Sequence, residues 1–226
     1  MNGTVMTKTI KDFWNEAYKE LKPMTLSKND FVVEDDFSRV LKYLGDHAEE
    51  ILEIGVGSGR GLLACQATGD KVKHLTGIDP SPYVVEFLSK TCELSGINNV
   101  SIIETDHLYL ESLKSQSIDG IITSNVLDVL EDSISDYIIN EITRILKPGG
   151  YFVVKVNFYL TEEIIERTKA EELKPNVYAI NGVLRSVNRT TEEWLEKFQA
   201  FELVEKGTFE RIQNGPLDRV MLLRKR

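Results

Sequence analysis

From residue 50 onward the chain alternates short β-rich runs with helical patterns, and few folds accommodate that order. The runs are Ile51-Leu52-Glu53-Ile54, His74-Leu75-Thr76-Gly77-Ile78, Val100-Ser101-Ile102-Ile103-Glu104, Gly120-Ile121-Ile122-Thr123 and Tyr151-Phe152-Val153-Val154-Lys155-Val156. Repeated strand–helix–strand units predict an α/β fold with a doubly wound, mostly parallel sheet covered on both faces. The helices carry boundary signals of their own. Ser81-Pro82 offers a capping hydroxyl before a proline suited to the first helical position, with Val84, Val85, Leu88 and Cys92 on the inner face. Ile134, Ile138, Ile142 and Ile145 recur at helical spacing before Lys147-Pro148-Gly149-Gly150 closes that helix. Thr190 and Glu193 form a capping box ahead of Trp194, Leu195 and Phe198. Two last runs, Phe201–Val204 and Val220–Leu223, flank Asn214-Gly215-Pro216 and predict an antiparallel hairpin at one edge of the sheet.

The 226 residues fit one domain, organised as an N-terminal helical cap (1–48), a core (49–157), a long connection (158–190) and a final helix with hairpin (191–226). Within the connection, Thr161 to Glu172 reads as a charged helical run, and Asn181-Gly182 between apolar residues as a hairpin turn. The net charge of −9, without a basic run, disfavours nucleic acid and favours neutral or cationic partners over polyanions. Cys65 and Cys92 fall in helical patterns without metal-ligand spacing, so they are expected to be reduced core residues, with no metal site. No stretch approaches the roughly 18 apolar residues of a membrane span, and a cytoplasmic protein is expected.

The chemistry concentrates in Glu53-Ile54-Gly55-Val56-Gly57-Ser58-Gly59-Arg60-Gly61, a glycine-rich turn between an apolar strand and a helical run. Glycines there let backbone approach a ligand closely. The second strand ends in Asp79, where a carboxylate can accept from both hydroxyls of a ribose. A dinucleotide fingerprint needs glycine where this chain has Arg60. The acidic Glu53, awkward for a pyrophosphate, suits an ammonium group.

These pieces, with GIDPS at the second strand, ETDH after the third, SNVLDVLED after the fourth and ILKPGGYFVV at the fifth, resemble the class I S-adenosylmethionine-dependent methyltransferases, particularly the small-molecule branch of type 11 and 25 domains. The resemblance covers about Glu50 to Val156. It implies a seven-stranded Rossmann-like sheet, S-adenosylmethionine as cofactor, and direct in-line methyl transfer to a small-molecule acceptor. By the same resemblance Gly55, Gly57 and Gly59 line the methionine and ribose portions, Asp79 holds the ribose with Pro80 beside it, Asp106 accepts from the adenine amino group next to His107, and Asn125 and Val126 contact the cofactor through backbone.

The resemblance fixes no catalytic residue. Asp128 suits either a base or an ordinary helix-start carboxylate, the second being preferred, His107 either a proton acceptor or a wall residue, and Tyr18 is the third catalytic candidate. The stripe Phe13, Trp14, Ala17, Tyr18 and Leu21 suits a lid over the cofactor or a helix docked on the core. Trp14, Tyr18, Tyr178 and Arg185 are candidates for contact with the acceptor, and connections as long as 158–190 are often functional. The competing readings are a non-catalytic S-adenosylmethionine-binding module or scaffold subunit, a tRNA-modifying methyltransferase, a nicotinamide dehydrogenase, and an aminopropyl transferase.

Overall fold

A computed structural model describes residues 10–226, so the first nine residues of the expected cap lie outside the described residues. In chain order its elements begin α1 (Ile10–Tyr18), α2 (Asp36–His47), β1 (Glu50–Ile54), α3 (Arg60–Thr68), β2 (His74–Asp79), α4 (Pro82–Leu94), β3 (Val100–Glu104), β4 (Ile118–Ser124), α5 (Asp132–Ile145) and β5 (Leu146–Val156). They continue with α6 (Glu162–Thr168), β6 (Glu171–Lys174), β7 (Val177–Ile180), β8 (Val183–Val187), α7 (Thr191–Lys197), β9 (Phe201–Glu210) and β10 (Leu217–Lys225). The main sheet has seven strands in the order β3-β2-β1-β4-β5-β10-β9, with β10 inserted antiparallel between β5 and β9. This is the expected architecture.

The central strands are apolar without interruption because both of their faces are covered. Successive side chains divide between two cores. Ile51, Ile122 and Val153 pack with residues of α2, α3 and α4, whereas Leu52, Ile121 and Phe152 pack with residues of α5 and α7. The capping box forms as expected, with Thr190 Oγ1 accepting from Glu193 N and Glu193 Oε2 from Thr190 N. Behind it Trp194 is fully buried. Cys65 and Cys92 are buried and unbridged.

Several local expectations need correction. Ser81 occupies the N-cap of α4, but its buried hydroxyl makes no capping bond, and its backbone N–H donates to Asp79. Phe87, rather than Val85, completes the buried face of that helix. Lys147-Pro148-Gly149-Gly150 does not separate a helix from a strand: α5 already ends at Ile145, and these residues lie within β5, where the register against β4 slips between Ile118 and Gly120. The charged run from Thr161 is helical only to Thr168. Lys169 takes a left-handed conformation (φ 54°) that ends the helix, and Glu171 and Glu172 pair with β7.

Asn181 and Gly182, both at positive φ, form the tight turn that joins β7 to β8. The resulting three-stranded sheet, β6-β7-β8, buries Val177, Leu184 and Val187 against Val129 and against Ile10 of α1. The long connection is therefore packed beside both the N-terminal helix and the turn that follows β4.

Phe152 is fully buried where β5 meets Phe198 and Phe201. Phe152→Ala is expected to cost about 3–5 kcal/mol of stability. Urea denaturation checks this, with an unchanged midpoint as the contrary result.

Candidate functional site

The strand order reverses direction between β1 and β4, since the chain moves outward from β1 to β3 on one side and from β4 to β5 on the other. At such a switch point the loops leaving the two strands diverge and open a crevice at the carboxyl ends. A cavity of about 660 Å³ occupies that crevice, floored by the ends of β1, β2 and β4 and roofed by Trp14 and Tyr18 of α1.

The loop after β1 folds over the end of β2, with Gly55 N and Val56 N both donating to Ile78 O (2.9 and 3.0 Å). Asp79 then receives the loop from below. Its Oδ2 accepts from Gly57 N (3.1 Å) and its Oδ1 from Ser81 N (2.9 Å). Burial raises the Asp79 pKa, and these two bonds oppose the shift. Gly57 has φ +50°, and a Cβ there would sit 2.7 Å from Tyr18 Oη, so both backbone angle and lid contact require glycine.

Glu53 is buried at the end of β1, where Oε2 accepts from Leu62 N (2.7 Å) in the first turn of α3. Burial pushes its pKa up to about 8, against the pull of that hydrogen bond. A second buried charge lies opposite. Lys155, 5% exposed near the end of β5, places Nζ 2.9 Å from Asn125 Oδ1 and 2.9 Å from the fully buried Asp218. Asn125 itself is held at φ 54°, its N–H donating to Lys155 O (2.9 Å).

The cavity brings together Glu53, Gly55, Gly57, Asp79, Pro80, Asp106, His107, Asn125, Val126, Trp14 and Tyr18 of the expected residues. Asp106 Oδ1 also accepts from Leu108 N (2.9 Å), and the His107 ring meets Tyr137 edge-on at 5.6 Å. Burial raises the Tyr18 pKa, Asp79 adding to the shift and a backbone hydrogen bond from Ser58 opposing it.

Four expected residues stand outside the lining. Gly59 (φ +76°) serves the loop's fit, since a Cβ there would lie 2.5 Å from Leu88 Cδ1. Asp128 is buried behind the wall in a short turn, its Oδ2 accepting from Asn157 N (2.8 Å) and Nδ2 (2.7 Å). Tyr178 lies on β7 with its hydroxyl 3.4 Å from Glu172 Oε1. Arg185 packs under the lid helix, 4.5 Å from the Phe13 ring and 5.7 Å from that of Trp14. Of the stripe, Ala17 and Leu21 are exposed and no residue of α1 is fully buried, while Tyr18 packs against the main core, so the helix both borders the cavity and is docked on the sheet's helical layer.

Lys155, Asp218 and Arg211 were not expected. A lysine inside Val153-Val154-Lys155-Val156 was the available signal, because a charge in a run buried on both faces needs a partner. Asp218 gave none: it precedes the apolar part of β10.

Residues 52–154 match the family model of the methyltransferase domain. The chain is 25% identical over 160 residues to phosphoethanolamine N-methyltransferase 1 of Triticum aestivum, across 68% of this chain and 31% of that one. It is 30% identical over 180 residues to tRNA (guanine-N(7)-)-methyltransferase of Campylobacter fetus, across 76% and 45% respectively. It thus spans less than half the length of these two curated relatives. Among solved structures, the Burkholderia thailandensis 1,6-didemethyltoxoflavin-N1-methyltransferase with bound 1,6-didemethyltoxoflavin and S-adenosylhomocysteine superposes with a TM-score of 0.62 at 19% identity, across 88% of this chain and 86% of that one.

Two predictions follow from the buried charges. An acid whose folded pKa is raised stabilises the fold below its unfolded pKa and progressively less as pH rises through the folded value. Glu53→Gln is therefore expected to stabilise the ligand-free protein by a few kcal/mol above pH 8, with little effect below pH 4.5. Thermal melts across that window check it, and a pH-independent difference would contradict it. Lys155→Ala leaves the buried Asp218 with only the longer contacts to Arg211 Nε (3.5 Å) and Phe158 N (3.3 Å) and is expected to cost about 3–5 kcal/mol, much of it recovered in the double variant with Asp218→Asn. A denaturant titration of the three variants reads this directly.

The topology and the crevice at the switch point agree with the solved structure: the chain has the class I methyltransferase fold, and residues 52–154 are similar to the methyltransferase domain.

Proposed function

We propose that this chain transfers the methyl group of S-adenosylmethionine to a small-molecule acceptor. The observation that carries the reading is the placement of Asp79. Two backbone N–H groups fix its carboxylate, and the remaining lone pairs are left to accept from ribose hydroxyls in the cavity. S-adenosylmethionine brings a methyl group on a sulfonium, a carbon electrophilic enough to be attacked without a covalent enzyme intermediate.

The residues present fit that molecule at both ends. Glu53 is a buried carboxylate raised toward its neutral form, and a cationic ammonium group beside it restores the charged one. Asp106 lines the same cavity and is the proposed acceptor for the adenine amino group, with Pro80 and His107 as wall residues. Gly55, Gly57, Asn125 and Val126 bring backbone close to the ligand. Arg60 occupies the position at which a dinucleotide site has glycine, which weighs against NAD.

The chain's own work is alignment and exclusion of water. Trp14 and Tyr18 roof the cavity, and methyl transfer gains chiefly from holding donor and acceptor at about 3–3.5 Å in line. No proton acceptor is assigned to Asp128, which lies behind the wall and is occupied by Asn157. A cavity of about 660 Å³ lies within the range of small-molecule sites, and the net charge of −9 weighs against tRNA.

Thermal unfolding with S-adenosylhomocysteine and with NAD, in parallel, tests the cofactor assignment. At 100 times its dissociation constant the sulfur nucleoside is expected to add about 2.7 kcal/mol of stability, with the effect lost in Asp79→Ala. A shift with NAD alone, or none with S-adenosylhomocysteine, would overturn the reading. Turnover is then read as S-adenosylhomocysteine released only in the presence of an acceptor.

A further inference from the structure

Asn125 directly follows β4, Lys155 is the penultimate residue of β5, and both line the cavity. Lys155 Nζ stands 2.9 Å from Asn125 Oδ1, 2.9 Å from Asp218 and 5.7 Å from the centre of the Phe209 ring. A lysine ammonium only donates, so the carbonyl end of the Asn125 amide is the end turned to it. Lys155 is buried, and its hydrogen bond and its ion pair both go to protein groups. The ammonium therefore orients the amide.

The other end of the amide has no partner. Among the described residues Asn125 Nδ2 makes no hydrogen bond, and the protein does not enclose it. Two N–H donors are thus held at the cavity wall. The amide cannot turn to offer its oxygen there without giving up a charge-assisted bond to a buried ammonium. The backbone is held by the same residue, since Asn125 N donates to Lys155 O (2.9 Å) while φ stays at 54°. Asn125 is therefore a fixed donor, and it selects a ligand group that accepts.

Charge does not discriminate on this side of the cavity. Outside the cofactor loops Lys11 and Arg211 of the lining are equalled in number by Asp35 and Glu210, and Lys155 has Asp218 behind it. Apolar wall is supplied by Trp14 and by Phe37 and Phe209, whose rings stack at 5.3 Å. We propose that the methyl acceptor is a small carbonyl compound whose oxygen accepts from Asn125 Nδ2, with its apolar body toward Phe209 and Trp14. This rests on the methyltransferase reading and names its substrate class. Asn125 meets the substrate, and Lys155 is a positioning residue that acts through it.

The test uses the full chain saturated with S-adenosylhomocysteine. Two compounds of similar size, both uncharged at neutral pH, are titrated with affinity read by calorimetry: 1-tetralone, which only accepts hydrogen bonds, and 1-naphthylamine, which chiefly donates them. The ketone is expected to bind at least about tenfold more tightly than the amine, a difference of about 1.4 kcal/mol.

Asn125→Asp keeps the shape and tolerates the left-handed backbone, but it replaces the donors by a carboxylate oxygen. It is expected to reverse the order, so that the amine binds more tightly than the ketone, an inversion that structural damage alone would not produce. Lys155→Met combined with Asp218→Asn frees the amide to present either end, and the two compounds are expected to bind within about threefold of each other. Amine binding as tight as ketone binding in the unaltered chain overturns the proposal, as does an order unchanged by Asn125→Asp, or no binding of either compound. A ketone preference unmoved in the Lys155 and Asp218 double variant overturns the positioning role of Lys155. Failure of S-adenosylhomocysteine itself to bind is a distinct result, which overturns the cofactor reading on which the proposal rests.

Discussion

The carboxylate of Asp79 joins three parts of the molecule that the chain supplies separately. It closes β2, it anchors the glycine loop through Gly57 N, and it sets the start of α4 through Ser81 N. A parallel sheet brings all of its strand ends to one side, and the reversal of order between β1 and β4 opens a gap there. The gap becomes a shaped site because the loops bordering it are held by groups in the sheet itself. Strand burial therefore determines where the loops begin, and Asp79 determines how the first of them lies.

The same ends of the sheet also carry charges that are costly to bury. Glu53 has one hydrogen bond from Leu62 N and a pKa raised to about 8, and Lys155 is enclosed with Asp218 as its carboxylate partner. Buried ion pairs of this kind are poor sources of stability, and their retention is better understood through what they orient. Lys155 fixes Asn125, whose left-handed backbone turns the loop after β4 toward Gly55; a Cβ on that glycine would sit 2.6 Å from Val126 Cγ2. The two loops of the crevice thus meet at van der Waals contact, one held by Asp79 and the other by Lys155.

The legible part of this architecture is the part written as local pattern. The five apolar runs, the glycine loop with Asp79, the capping box at Thr190 and the Asn181-Gly182 turn each state their structure within a few residues. What escaped depends on contacts across the fold. Asp218 meets Lys155 through strand pairing between positions 63 residues apart, and Arg185 acquires its aromatic neighbours only when β8 docks beside α1. Glu171 and Glu172 continue a charged helical pattern, yet Lys169 breaks the helix and pairing with β7 prevails. Asp128 is a similar case: a helix-start carboxylate in sequence, it becomes a buried support for Asn157 once β5 lies beside β4.

In the account as a whole the proposed cofactor lies against the loops of the sheet, and the rest of the cavity is bordered by helix α1 and by Phe209, Glu210 and Arg211 where β9 ends, with the sheet β6-β7-β8 packed beside α1 and outside the lining. The most direct test of that division is a crystal structure of the protein with S-adenosylhomocysteine. The account predicts ribose hydroxyls within hydrogen-bond distance of the Asp79 carboxylate, the adenine beside Asp106, and the sulfur directed toward the space bounded by Trp14, Lys155 and Arg211. A nucleoside bound away from Asp79, or one whose sulfur faces away from that space, would contradict it.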